Sequence, residues 1–266
     1  MDNIRALVLN ELNLIEDNFY RLTKQNNAVF NDLGDFLLGK SKRIRSLVSL
    51  LYLKANNINT GQKIIDLLFS VELIHNASLL HDDVIDNSPL RRNVQTLFDK
   101  YGSKLSVISG DYILSIAVEK LLKLNNECIL NLFLNTVKKM SEAEILQFFS
   151  RNQDITLKKY LDIVCGKTSS LFSASMKSAA ILSGIDAARA GYFGDKFGML
   201  FQINNDLDSS SAENDMKNGV KTAVNILGIE KTLALKDNYK EELRQILAEI
   251  PDNKYKNGIE DLIELL

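Results

Sequence analysis

Proline is almost missing from this 266-residue chain, which has only Pro89 and Pro251, and glycine occupies just thirteen positions. Strand-rich folds need frequent turns, and turns draw on those two residues; long helices do not. Cysteine is equally scarce. Cys128 and Cys165 are too few for a disulfide framework and lack metal-ligand spacing, so a reducing compartment, the cytoplasm, is expected. Basic charge is not in surplus either. A formal net charge of -2 leaves no footprint for nucleic acid, and an anionic ligand has to be held by local basic clusters or by metal. The first twenty residues mix acids and polar residues throughout, unlike a signal peptide. No uninterrupted apolar run of membrane-spanning length stands out.

What is present is helical periodicity. Ile44, Leu47, Val48 and Leu51 follow the i, i+3, i+4, i+7 pattern, and Ile259, Leu262, Ile263 and Leu266 repeat it. Leu67 to His81 and Ser106 to Leu124 read as long helices apolar over most of their circumference, which belong in the middle of a helical assembly. The stretches 174–185 and 191–207 are helical in pattern and rich in small residues, which suits close packing. No repeat, low-complexity tract or Pro/Gly-rich linker divides the chain. The expectation is one all-α domain over residues 1–266.

The sharpest local signal is His81-Asp82-Asp83-Val84-Ile85-Asp86, at the end of an apolar helix and just before Asn87, Ser88 and Pro89. At about 100° per residue, Asp82 and Asp86 share a helical face. Two carboxylates there make a hard oxygen site suited to Mg²⁺, which keeps waters and takes further ligands from substrate phosphates. An isolated DDxxD is more often a solvated surface cluster, but Arg91 and Arg92 follow at once, and guanidinium forks match phosphate geometry. The only two histidines, His75 and His81, flank the same motif. A second basic knot, Lys40 to Arg45, opens an earlier helix. Further on, Asn205, Ser209 and Glu213 are spaced i, i+4, i+8 on one helical face, with amide, hydroxyl and carboxylate oxygens that can also ligate Mg²⁺.

From about Gly39 to Thr222 these elements resemble, in order, those of the trans-polyprenyl diphosphate synthase family. GKSKRIRS resembles its GGKRLRP element, and IHNASLLHDDVIDNSPLRR its first aspartate-rich region. Gly110-Asp111-Tyr112 resembles its GDY step, and Glu144 with Gln147 its E-x-x-Q stretch. Gly166-Lys167-Thr168 with Leu171-Phe172 resembles its KT-x-x-LF element, and FQINNDLD its second acidic motif. The resemblance implies an all-α, isoprenoid-synthase-type helical bundle, a homodimer, with two acidic motifs facing a central cavity. It implies that Asp82 and Asp86 hold two Mg²⁺ ions bridging an allylic diphosphate, joined across the cavity by a third at Asn205, Asp206, Ser209 and Glu213. Arg91, Lys167 and Thr168 would contact that diphosphate with Gln202 nearby, the last three forming the catalytic set. Lys42, Arg45, His75 and Arg92 would hold the diphosphate of isopentenyl diphosphate.

Two departures stand out. The second motif has Asn205 and Ser209 where the family has acids, which is the N-D-x-x-S-x-x-x-E pattern of class I terpene cyclases; and the loop down to Gly219-Val220-Lys221-Thr222 is short. Chain length is expected to follow from what lies a turn before Asp82. Ala77 and Ser78 are small there, where short-chain members carry a bulky aromatic, so a long, octaprenyl-type product is predicted, one oily enough to bring the protein to a membrane surface. A short-chain synthase, a terpene cyclase and a non-catalytic partner subunit remain alternatives at this level.

Overall fold

The computed structural model describes every residue except 24–27, 40, 92–93 and 209–216. Its elements run α1 Asp2–Ala6, α2 Leu9–Thr23, α3 Ala28–Leu38, α4 Ile44–Ala55 and α5 Gln62–Ile85, then the two-residue strands β1 Leu90–Arg91 and β2 Val94–Gln95. There follow α6 Leu97–Tyr101, α7 Ser103–Lys123, α8 Glu127–Phe148, α9 Leu157–Val164, a π-helical turn Cys165–Ser169, and α10 Ser170–Ser183. The chain closes with α11 Ala187–Leu207, α12 Ala223–Leu227, α13 Ile229–Ala248 and α14 Lys254–Leu265. The all-α expectation holds, and each periodic run noted above maps onto one of these helices, with Leu124, residues 184–185 and Leu266 falling just past the helix ends. What periodicity did not reveal is the short antiparallel ladder, which pairs Leu90 with Gln95 and Arg91 with Val94.

The helices begin where the sequence offers an acceptor for otherwise unpaired N–H groups. Thr96 caps α6, Thr156 caps α9, Asp186 caps α11, and Thr222 with Asn225 forms a capping box on α12.

The described residues fall into two compact units: Met1–Leu7, Leu51–Ile58 and Asn131–Leu266 in the first, Val8–Leu50 and Asn59–Leu130 in the second. In the second unit α5 lies along α7. Ile113, Ala117 and Leu121 of α7 are buried at i, i+4, i+8, and Ser106 Oγ donates to Leu80 O at 3.1 Å. On the side of α2, the Phe19 and Phe69 rings meet edge to face at 4.8 Å. Helix α5 is long and apolar enough to cross a membrane by length and composition, yet 72% of that window is buried inside the protein, as in a core helix. Each buried Leu or Ile there contributes roughly 1.5–3 kcal/mol of transfer free energy.

In the first unit α10 and α11 form the closest pairing. A Cβ placed on Gly194 would lie 2.6 Å from the carbonyl oxygen of Phe172, and one on Gly198 would lie 2.5 Å from Ser169 Cα. Only glycine lets these backbones approach so closely, which is what the small-residue stretch 191–207 is for. Gly194→Ala must push α10 and α11 apart against backbone atoms, and is expected to cost about 1–3 kcal/mol, measured as a fall in the urea midpoint. An unchanged midpoint would show that the two helices are not in this contact.

Candidate functional site

In the second unit the acid-rich motif closes α5. Asp86 is its C-cap, and its N–H donates to Asp82 O at 2.8 Å. Asp82 and Asp86 lie one turn apart and are both partly exposed. Asp83, between them, does the opposite: it is fully buried, and Arg91 Nε donates to its Oδ1 at 2.6 Å. Burial pushes the Asp83 carboxyl up to about 6, with the Arg91 guanidinium pulling against that and the charges of Asp82 and Asp86 adding to it. The three carboxylates of DDxxD thus divide their work. Two face outward, and one ties the β1–β2 hairpin, with Arg91 on it, back onto the helix end. Arg92, expected to act beside it, lies outside the described residues.

His81 is set by the Gly110-Asp111 step. Its Nε2 lies 3.2 Å from Asp111 Oδ1 and 3.3 Å from Val107 O. A Cβ on Gly110 would sit 2.3 Å from that same nitrogen, so a side chain at residue 110 would displace the His81 ring from this position. One turn below the motif, Ala77 is buried and Ser78 half-buried, its hydroxyl donating to His75 O at 2.8 Å. Lys42 is exposed, Arg45 buried and His75 half-buried.

In the first unit the π-helical turn Cys165–Ser169 carries Lys167 and Thr168. A π-turn inserts an extra residue and re-aims the side chains around it, a feature frequent at functional sites. Lys167 Nζ forms an ion pair with Glu144, which accounts for the glutamate of the E-x-x-Q stretch. Thr168 Oγ1 donates to Gln202 Oε1 at 3.2 Å, and Gln202 Nε2 donates to Asp206 Oδ1 at 2.9 Å.

Asp206, expected from the sequence among the metal ligands, is engaged by the protein itself in this structure. It is 2% exposed, and its Oδ2 accepts from the Tyr160 hydroxyl and the Ala223 N–H, each at 2.7 Å. Burial pushes its pKa up, while its three donors, Tyr160, Ala223 N–H and Gln202, hold it down. The structure commits this carboxylate to the protein, where it pins α9, α11 and the start of α12 together. Asn205 is partly exposed, and its neighbour Asn204 accepts from Lys236 Nζ at 2.9 Å. Ser209 and Glu213, expected from the sequence to join the same metal site, lie outside the described residues.

The donor chemistry of Asp82 and Asp86 fits a hard divalent cation: two carboxylates, partly exposed, on one helical turn. Among the described residues no group of three or more His, Cys, Asp or Glu forms a site made by protein alone. Sequence reasoning missed Asp83, Tyr160 and Arg43 (taken up below), because nothing local marks which polar residue turns inward.

A family model described as polyprenyl synthetase matches residues 27–265. A prenyl transferase of Cyanophora paradoxa is 32% identical over 250 residues, covering 88% of this chain and 77% of that protein. The octaprenyl diphosphate synthase of Escherichia coli (strain K12) is 30% identical over 220 residues, covering 81% of this chain and 64% of that protein. Among solved structures, a polyprenyl synthase from Caulobacter crescentus CB15, complexed with calcium and isoprenyl diphosphate, has a TM-score of 0.91 at 22% identity, covering 99% of this chain and 96% of that one.

Tyr160→Phe takes one of three donors from the buried Asp206 carboxylate. It is expected to lower stability by about 1–3 kcal/mol, measured by urea denaturation. A wild-type midpoint would place Asp206 outside any tight buried network.

Proposed function

The chain belongs to the polyprenyl synthetase family, and from that premise we propose that it joins an allylic prenyl diphosphate to isopentenyl diphosphate, repeatedly, to build a long linear all-trans polyprenyl diphosphate of the kind used as a quinone side chain. It is a trans-prenyltransferase. The observation that carries the reading is the outward-facing pair Asp82 and Asp86 at the end of α5, embedded in an ordered series of family elements. The family match over residues 27–265 supports treating residues 1–266 as one domain.

Asp82 and Asp86 would hold Mg²⁺, which when bound neutralises charge developing on the departing diphosphate. The protein's own residues do the rest. In the second unit Arg91 would contact an allylic diphosphate; in the first, that role would fall to Lys167 and Thr168, with Gln202 orienting Thr168 through the hydrogen bond described. Lys42, Arg45, His75 and Arg92 hold the diphosphate of isopentenyl diphosphate. The allylic C–O bond breaks, the alkene of isopentenyl diphosphate forms the new C–C bond, and one proton leaves to the released diphosphate. The allylic carbon has to be kept from water for the new bond to form. In the second acidic motif, Asn205, Ser209 and Glu213 would take the further metal, while Asp206 ties α11 to Tyr160 and Ala223.

A homodimer is supported by α8, where Leu134, Ile145 and Phe148 are exposed and fall on one helical face at about 100° per residue. Cys128 and Cys165 are both free and exposed, which suits a reducing, cytoplasmic setting, with membrane contact made through the oily product.

Incubating the purified chain with farnesyl diphosphate, labelled isopentenyl diphosphate and Mg²⁺ is expected to give a ladder ending in a long linear product. A cyclic hydrocarbon would indicate a terpene cyclase, and no incorporation would indicate a non-catalytic partner subunit. Asp82→Ala, or chelation of the metal, is expected to lower turnover by at least about 10²-fold. Ala77→Tyr is expected to shorten the product, read by the same chromatography; an unchanged distribution would remove Ala77 from the path of the growing chain.

A further inference from the structure

The basic turn before α4 contains a residue that the reading above leaves without a role. Arg43 stands between Lys42 and Arg45, yet it is only 1% exposed and is far from a solvated surface cation. Its Nε and Nη2 donate to the two oxygens of Glu16 on α2 at 2.8 and 3.1 Å, and Nη2 also donates to Leu37 O at 2.6 Å. Its guanidinium lies 4.1 Å above the Phe19 ring. Nη1 faces Glu72 of α5 at 3.8 Å.

Glu72 has a second task. It is 1% exposed, and its Oε1 accepts from the Ser46 N–H at 3.2 Å and the Ser46 hydroxyl at 2.7 Å. A carboxylate from α5 therefore caps the first turn of α4, the position where an anion best meets unpaired N–H groups and the helix dipole. Arg43 itself has φ +47°, a left-handed conformation that L-residues avoid and that persists where surrounding interactions over-determine it.

We infer that Arg43, clamped by Glu16 and Glu72, is a positioning residue that fixes the Lys42–Arg45 turn against α5 for binding of the isopentenyl diphosphate headgroup. Glu72 lies three residues before His75, so the two are neighbours along one side of α5. The clamp thus ties the turn bearing Lys42 and Arg45 to the stretch of α5 that carries the third member of that set. A buried guanidinium fork holds direction as well as charge, which a lysine at the same place cannot reproduce. The inference rests on reading Lys42, Arg45 and His75 as the isopentenyl diphosphate site.

The test is binding, measured by calorimetry, of isopentenyl diphosphate without metal and of farnesyl diphosphate with Mg²⁺, to wild type, Arg43→Lys and Glu16→Gln. Arg43→Lys keeps the charge and loses the fork. Glu16→Gln neutralises the one partner that reaches solvent, its side chain being 33% exposed, and so serves if Arg43→Lys does not fold. Both variants are expected to weaken isopentenyl diphosphate binding on the order of tenfold, as misplacing a preorganised site does. Farnesyl diphosphate binding and the circular dichroism spectrum should stay as in wild type. Wild-type affinity in both variants, or a parallel loss of both ligands, overturns the positioning role. So does a wild type that binds no isopentenyl diphosphate. A wild type that binds it yet makes no product overturns the proposed reaction and leaves the binding comparison to decide the role of Arg43.

Discussion

Helix α5 carries two carboxylates into the interior, Glu72 and Asp83, and an arginine meets each of them. A buried carboxylate without a cationic or hydrogen-bonding partner costs several kcal/mol, so these pairings are constraints that the chain around them has to satisfy. Glu72 draws in Arg43 and with it the turn that bears Lys42 and Arg45. Asp83 draws in Arg91 and with it the β1–β2 hairpin. Two basic segments, one before the helix in sequence and one after it, are thereby docked onto one apolar element. Lys42 and Arg45, proposed to bind diphosphate, are neighbours of the docking Arg43 and do not have to supply the docking energy themselves, whereas Arg91 both docks its hairpin and is itself proposed to meet a diphosphate.

The first unit solves the same problem with neutral donors. Asp206 is buried and is met by a tyrosine hydroxyl, a glutamine amide and a backbone N–H. That choice leaves no arginine behind it, but it fixes Gln202 and, through Gln202, the hydroxyl of Thr168. The same carboxylate holds the N–H of Ala223 on the far side of the second acidic motif in sequence. An aspartate in an acidic motif can therefore be structural, as Asp83 also is between Asp82 and Asp86.

Much of this was legible in the chain. The long apolar helices follow from period and from the shortage of proline. The packing of α10 on α11 follows from the small residues between 191 and 207, and the order of motifs points to the family. The division of labour among acids was not legible. In D-D-V-I-D and N-N-D-L-D each carboxylate looks equivalent, because helical periodicity assigns a face but does not say which face is covered. Arg43 was invisible for the same reason: between Lys42 and Arg45 it looks like one more solvated cation.

The sequence by itself determined the long helices, the family and the candidate residues for metal and diphosphate, since those depend on residue type, spacing and order along the chain. Only the tertiary structure decided which of those charges are buried. Burial depends on what packs over a side chain from tens of residues away, as Glu16 does over Arg43 and Tyr160 over Asp206. No local pattern encodes that partner.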